Sequence, residues 1–178
     1  MSAMPRPEFA DIDQARKQFR QAMSHLGAAV NVITTTGTHG RCGITASAVC
    51  SVTDAPPTLL VCINRSSTMH AAFVGNRNVC VNVLPGHQEQ IARHFAGLTQ
   101  LSMEERFSLP VWDEGANGVP VLRDALASLE GTIVEAKEVG SHSVMFVQTH
   151  TIRVRDDGDS LIYFDRNFHR VPRACAAQ

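Results

Sequence analysis

The chain has 178 residues, 44% of them hydrophobic, and its 16 Lys and Arg against 17 Asp and Glu leave a formal charge of −1. This length predicts one domain over residues 1–178, with about 12 N-terminal and about 8 C-terminal residues loose. Scattered basic residues exclude a nucleic-acid binder that works through clustered Lys and Arg. No run approaches the ~18 apolar residues of a spanning helix, and MSAMPRPEFADIDQARKQF has no apolar signal-peptide core, so a cytoplasmic protein without membrane association is expected.

From Asp13 to Leu26, Ala15, Phe19, Ala22, Met23 and Leu26 recur at helical spacing opposite Arg16, Lys17, Arg20 and Gln21, with Gly27 as C-cap. The pattern predicts an amphipathic helix packed on a larger body. Seven strands are expected next: Ala28–Thr36, Ile44–Val52, Thr58–Asn64, Asn78–Leu84, Ser128–Val139, Ser143–Arg155 and Ser160–Asp165. All are rich in β-branched residues and are divided by turn residues such as Gly37, Pro56 and Gly140. Strands without regular helix alternation predict a mainly β fold, an antiparallel barrel. Short helices are expected at Ser67–Val74 and His87–Phe95. The segment Pro110–Pro120 (PVWDEGANGVP) reads as a surface loop.

Five cysteines, Cys42, Cys50, Cys62, Cys80 and Cys175, are expected to be reduced thiols rather than a disulfide framework. None has the close spacing of a zinc site, and His87 with His94 lacks a third ligand, so no metal site is predicted. Neither a G-x-x-x-x-G-K-[ST] loop nor a G-x-S-x-G elbow is present, and GTHGRCG at Gly37–Gly43 does not match G-x-G-x-x-G. Glu104 and Glu105 in MEERF read as a solvated helix face.

Three local features remain. Asn64–Thr68 (NRSST) follows an apolar strand and leads toward a helix start near Ser67. It would offer N–H groups, hydroxyls and Arg65 to an anion, or serve simply as an N-cap. Thr45–Thr53 (TASAVCSVT) carries hydroxyls at near-alternate positions between small residues, which suits a flat ligand and equally suits two tightly packed strands. Of eight histidines, His142 in GSHS and His169 after YFDRNF are the candidates for proton transfer or phosphate contact, against a plain surface role.

The blocks GAAVNVITT (Gly27–Thr35), GITASAVCSVTDAPPTLLVCINRSS (Gly43–Ser67), CVNVL (Cys80–Leu84), HFAG (His94–Gly97), MEERF (Met103–Phe107), LASLEG (Leu126–Gly131), GSH (Gly140–His142) and LIYFDRNFH (Leu161–His169) together resemble the short-chain flavin reductase family. The resemblance runs from about Phe19 to His169. It implies a split β-barrel with Greek-key topology and a few flanking helices, and a homodimer with flavin sites near the subunit interface. The implied activity is hydride transfer from NADH to FMN or FAD, after which reduced flavin leaves for a separate flavin-dependent monooxygenase. Some blocks are most similar to reductases serving aromatic hydroxylation; GAAVNVITT and TASAVCSVTD are shared with reductases of pyrimidine degradation. An alternative of another class is a non-catalytic flavin-binding split-barrel protein.

Carried onto this chain, the resemblance implies that Thr45, Ala46, Ser47, Ala48, Ser51 and Val52 line the isoalloxazine and ribityl chain. Cys62, Ile63 and Asn64 with Ser66, Ser67 and Thr68 would hold the ribityl and phosphate end, near Phe95 and Ala96. The nicotinamide nucleotide is expected at His142, Tyr163, Arg166 and His169; no catalytic residue is assigned beyond His142 as a candidate. Ser141 and Ser143 stand where the family often has Thr and Asp, and Asn167 where a second arginine is common, which leaves the choice between NADH and NADPH open.

Overall fold

Strand β2 (Asn31–Thr35) is buried at every residue, on both of its faces. A strand so placed belongs to a sheet covered on two sides. The computed structural model describes residues 11–174, and Cys175 and most of the two ends expected to be loose lie outside them.

Seven strands form that sheet: β2, β3 (Cys42–Ala46), β4 (Val49–Asp54), β5 (Pro57–Asn64), β6 (Asn78–Val83), β9 (Ala127–Val139) and β10 (His142–Val154). Their order is β3-β2-β6-β9-β10-β5-β4, and every pairing is antiparallel. The two edge strands are consecutive in the chain, joined only by Ser47 and Ala48. So short a connection forces the sheet to curl until its edges meet. The junction is held where Asn31 Nδ2 donates to Ala46 O at 3.2 Å and Cys62 N donates to Ala48 O at 3.0 Å. The result is a split barrel, and the expected single strand Ile44–Val52 is two strands at opposite edges of it. Small Ala46, Ser47 and Ala48 let the backbone turn there without crowding.

The pleat divides the apolar residues between two cores. Ile33, Val61, Ile63, Val79, Met145 and Val147 fill the barrel, closed by Phe73 of helix α2 (His70–Asn76). Outside the barrel, Val32, Leu84, Ile91, Phe95, Phe107 and Leu161 form a second cluster. It lies under helices α3 (Glu89–Phe95) and α4 (Met103–Ser108) and a small sheet of β1 (Ala28–Ala29), β11 (Ser160–Phe164) and β12 (Asn167–Val171). Strand β12 is absent from the sequence expectation. It forms because Asp165 and Arg166, at φ 46° and 61°, make a two-residue turn of the kind usually built with glycine or asparagine.

The segment expected to be an irregular loop contains β7 (Trp112–Glu114) paired with β8 (Pro120–Leu122). What orders it is Glu130, 1% exposed, whose Oε2 accepts from Ala116 N at 2.7 Å. MEERF is helical as expected, with a capping box between Ser102 and Glu105. Helix α1 (Ile12–Ser24) begins at Asp11, whose carboxylate accepts from Asp13 N and Gln14 N. Contrary to the packed helix expected, α1 buries no residue, and Phe19 and Leu26 are 66% and 62% exposed. Among the described residues no helix is long and apolar enough to cross a membrane.

Candidate functional site

Three connected hollows run along the split in the barrel. The first, about 510 Å³, lies between Thr45–Ser47 on one side and Tyr163, Arg166 and Phe168 on the other, with Arg93 and Ala96 of the α3 end as its back wall. The second, about 860 Å³, shares Ser47, Tyr163 and Arg166 with the first. It continues past Ala48, Cys50 and Cys62 beneath α1. A third, about 800 Å³, lies beyond it against Asn64 and Ser66. Each falls in the range of about 300–1,000 Å³ usual for cofactor sites.

Local chemistry fixes the first wall. Thr45 Oγ1 donates to Ala92 O at 2.7 Å, which ties β3 to α3. Ser47 and Ala48 are exposed, and their N–H groups make no hydrogen bond among the described residues. Two free donors on a small-residue turn beside an apolar wall fit the polar edge of a flat heteroaromatic ring. Opposite them, Asp165 N donates to Ser24 O at 2.7 Å and Arg166 Nη2 donates to Gln21 Oε1 at 2.6 Å. These contacts from α1 hold the left-handed β11–β12 turn, so that Arg166 reaches the cleft. Arg93 lies 5.4 Å over the Phe168 ring and pairs with Glu89 at 2.7 Å.

Of the residues expected in the site, Thr45, Ala46, Ser47, Ala96, Tyr163 and Arg166 meet in the first hollow, and Ala48 and Cys62 in the second. Asn64 and Ser66 line the third. Ile63 does not face the cleft: alternation along β5 turns it into the barrel core at 1% exposure, while Cys62 points outward. Phe95 is also a core residue, edge-on to Phe107 and Trp112 at 5.2 and 5.4 Å. Ser51 and Val52 are exposed on β4 and line none of the three hollows; Ser51 pairs with Leu59, and the register shift that follows leaves Val52 without a partner in the ladder.

The NRSST segment differs most from expectation. The helix begins at His70, not near Ser67, and has seven residues. The N–H groups of Arg65, Ser66 and Ser67 are already bonded, to Ser141 O, Asn64 Oδ1 and Asn64 O. Ser67 Oγ accepts from Met69 N at 3.3 Å, so this hydroxyl acts in a turn, and Thr68 is exposed outside the hollow. His142 pairs across the sheet with Asn64, at the far end from Tyr163. His169 Nε2 is bonded to Phe164 O at 3.1 Å. Neither histidine lines the hollows. Arg16, Arg20 and Arg93 do, and sequence reasoning passed over them; for the first two the i,i+4 spacing on α1 was the available signal.

Burial pushes the Cys62 thiol up from its ordinary pKa, so it stays protonated at neutral pH beside the second hollow. Cys42 and Cys80 are pushed up to about 11 and about 12, also chiefly by burial.

The sequence pattern of the flavin reductase-like domain matches residues 23–172. The chain belongs to this family. Among flavin reductases, the 4-hydroxyphenylacetate 3-monooxygenase reductase component of Pseudomonas aeruginosa is 54% identical over 169 residues, covering 94% of this chain and 99% of that relative. The FMN reductase (NADH) RutF of Pantoea ananatis is 47% identical, covering 90% of this chain and 84% of its own. The NADH:FAD oxidoreductase SgcE6 of Streptomyces globisporus superposes with a TM-score of 0.82 at 28% identity, over 95% of this chain and all of that one.

Proposed function

We propose that the chain, acting as one domain, is an NADH:flavin oxidoreductase that supplies reduced flavin to a separate monooxygenase of the 4-hydroxyphenylacetate type in aromatic degradation. The observation that carries this reading is the 54% identity to a reductase component over nearly the whole of both chains. The cleft is consistent with it. A bound flavin supplies the acceptor for the hydride of NADH. The protein's part is to bind both nucleotides and stack their rings with water excluded. Ser47 and Ala48 N–H groups are poised to donate to the ring edge that gains negative charge. Tyr163 and Arg166 across the hollow are our choice for the nicotinamide nucleotide. A role for His142 and His169 in that subsite of the same subunit finds no support in their positions.

We assign the reaction to the cytoplasm, since the described cysteines are free thiols. We further propose a homodimer, supported by the unpacked apolar face of α1 and by exposed Ile152 and Val154; light scattering giving only monomer would overturn this. The RutF-like reading is the second one, weighed down by its lower identity and coverage.

The test of activity is simple. Purified protein with NADH and FMN or FAD should consume NADH, followed at the nicotinamide absorbance band, and support 4-hydroxyphenylacetate hydroxylation when the oxygenase is added. No flavin-dependent loss of NADH would leave a binding protein and sink the reductase reading. NADH loss without support of the oxygenase would favour the RutF-like one.

A further inference from the structure

We propose that Leu98 is an apolar lip at the mouth of the first hollow, that His94 holds it there through Thr99, and that the lip packs on the nicotinamide nucleotide rather than on the flavin. The inference rests on the flavin reductase reading above and adds to it one contact residue and one positioning residue. Three observations lead to it.

Leu98 is 63% exposed, yet it lines the first hollow together with Ala96, Arg166 and Phe168. Val30, the other branched aliphatic residue of that lining, is buried at 1%, so Leu98 is the one whose apolar surface an arriving ligand can still remove from water. Next, Leu98 lies off the path expected for the flavin. A flavin with its ring at Thr45–Ala48 and its chain directed toward Asn64 follows the second and third hollows, and Leu98 lines neither. Finally, Leu98 is held in place. Helix α3 ends in a Schellman turn: Gly97, at φ 74°, donates from its N–H to His94 O at 3.2 Å, and Leu98 N donates to Arg93 O at 3.0 Å. One residue on, Thr99 Oγ1 lies 2.8 Å from Nδ1 of His94, a residue only 9% exposed. Burial, and then the Arg106 charge, lower the His94 pKa, so its ring is neutral at pH 7 and retains an acceptor nitrogen for a hydroxyl. Beyond Thr99, Leu101 O accepts from Arg106 Nε at 2.9 Å. The chain is thus anchored on both sides of Thr99, and a buried imidazole that does not itself line the cleft orients the one exposed leucine on its rim.

The experiment measures the NADH KM and kcat, the flavin dissociation constant by fluorescence titration, and Tm, for the unaltered protein and for Leu98→Ala, Leu98→Met, Thr99→Val, Thr99→Ser and Gln100→Ala. Leu98→Ala should raise the NADH KM about fivefold, with kcat and flavin affinity changed by less than about twofold, because part of a leucine side chain no longer covers the nucleotide. Leu98→Met, of similar volume, should recover most of that loss. Thr99→Val keeps the shape without the hydroxyl and should raise KM about threefold, whereas Thr99→Ser keeps the bond to His94 and should not. In the Leu98→Ala background Thr99→Val should add nothing, since the lip it positions is gone. Gln100→Ala, exposed and outside the hollow, should leave KM alone. Flavin affinity lost as much as NADH affinity, Thr99→Ser equal to Thr99→Val, additive effects of Leu98→Ala and Thr99→Val, or a lowered Tm with KM unmoved would each overturn the lip. Absence of flavin-dependent NADH oxidation by the unaltered protein would overturn the reductase reading and the lip with it.

Discussion

Gly43 opens the block that forms one wall of the cleft, and the structure shows why a methyl group cannot be added there. A Cβ on Gly43 would lie 2.8 and 2.9 Å from two ring carbons of Phe95 and 3.2 Å from the carbonyl oxygen of Ile33. The ring cannot swing aside, because Phe107 and Trp112 hold it edge-on at 5.2 and 5.4 Å. Gly43→Ala must therefore push α3 away from β3, straining the 2.7 Å bond from Thr45 Oγ1 to Ala92 O. It would also shift Arg93 and Ala96, the back wall of the first hollow. Overpacking of this kind costs about 1–3 kcal/mol. At about 2 kcal/mol, a domain of this size should lose roughly 4–8 °C of Tm. Flavin affinity should fall several-fold, since the wall moves with the helix. The mechanism is checked by a double-mutant cycle with Phe95→Leu, read by thermal denaturation and flavin titration. Shrinking the ring should cost less in the Gly43→Ala background than in the unaltered protein, with a coupling of about 1 kcal/mol. A Gly43→Ala protein with unchanged Tm, or strictly additive effects, would refute this account.

Four further outcomes are expected. Gln21→Ala frees Arg166 from its 2.6 Å tie and should raise the NADH KM with kcat little changed, which steady-state kinetics will test; an unchanged KM would remove Gln21 as a positioning residue. Glu130→Ala leaves the Ala116 N–H without its acceptor and should cost about 2 kcal/mol, with faster hydrogen exchange at Ala116 than in Glu130→Gln. Burial, then the Arg106 charge, lower the His94 pKa, so the unfolded chain binds the extra proton first and stability should fall as pH drops below about 6.5; Tm against pH should be flatter in His94→Gln. Thiol labelling mapped by mass spectrometry at pH 8 should modify exposed Cys50 but not Cys42 or Cys80, whose raised pKa values and burial keep them as thiols.

Much of the barrel was legible from residue order. The apolar run Thr58–Asn64 and the β-branched runs of Ser128–Val139 and Ser143–Arg155 correspond closely to β5, β9 and β10. The breaks occurred where a long-range contact overrode local pattern. The β-rich run Ile44–Val52 splits because the barrel must close at Ser47–Ala48, and β12 forms after a turn that lacks glycine because α1 pins Asp165 and Arg166. Trp112–Leu122 gains its strands from the buried carboxylate of Glu130, supplied by a neighbouring strand of the main sheet.

For the site, the sequence by itself singled out the small, hydroxyl-bearing residues from Thr45 onward and the aromatic block ending at His169, but it placed the first on one continuous strand and ended the second's strand at Asp165; the turn at Ser47–Ala48 and the β11–β12 hairpin came from the tertiary structure. Which side of each strand faces the cleft was decided only by tertiary structure. The pleat sends Cys62 into the cleft and Ile63 into the core, and packing against Phe107 and Trp112 withdraws Phe95. The cations at the far end came from α1, more than forty residues before Asn64 in the chain. No local pattern announces such a meeting, because the folding of the sheet, not the spacing of the residues, brings helix and turn together.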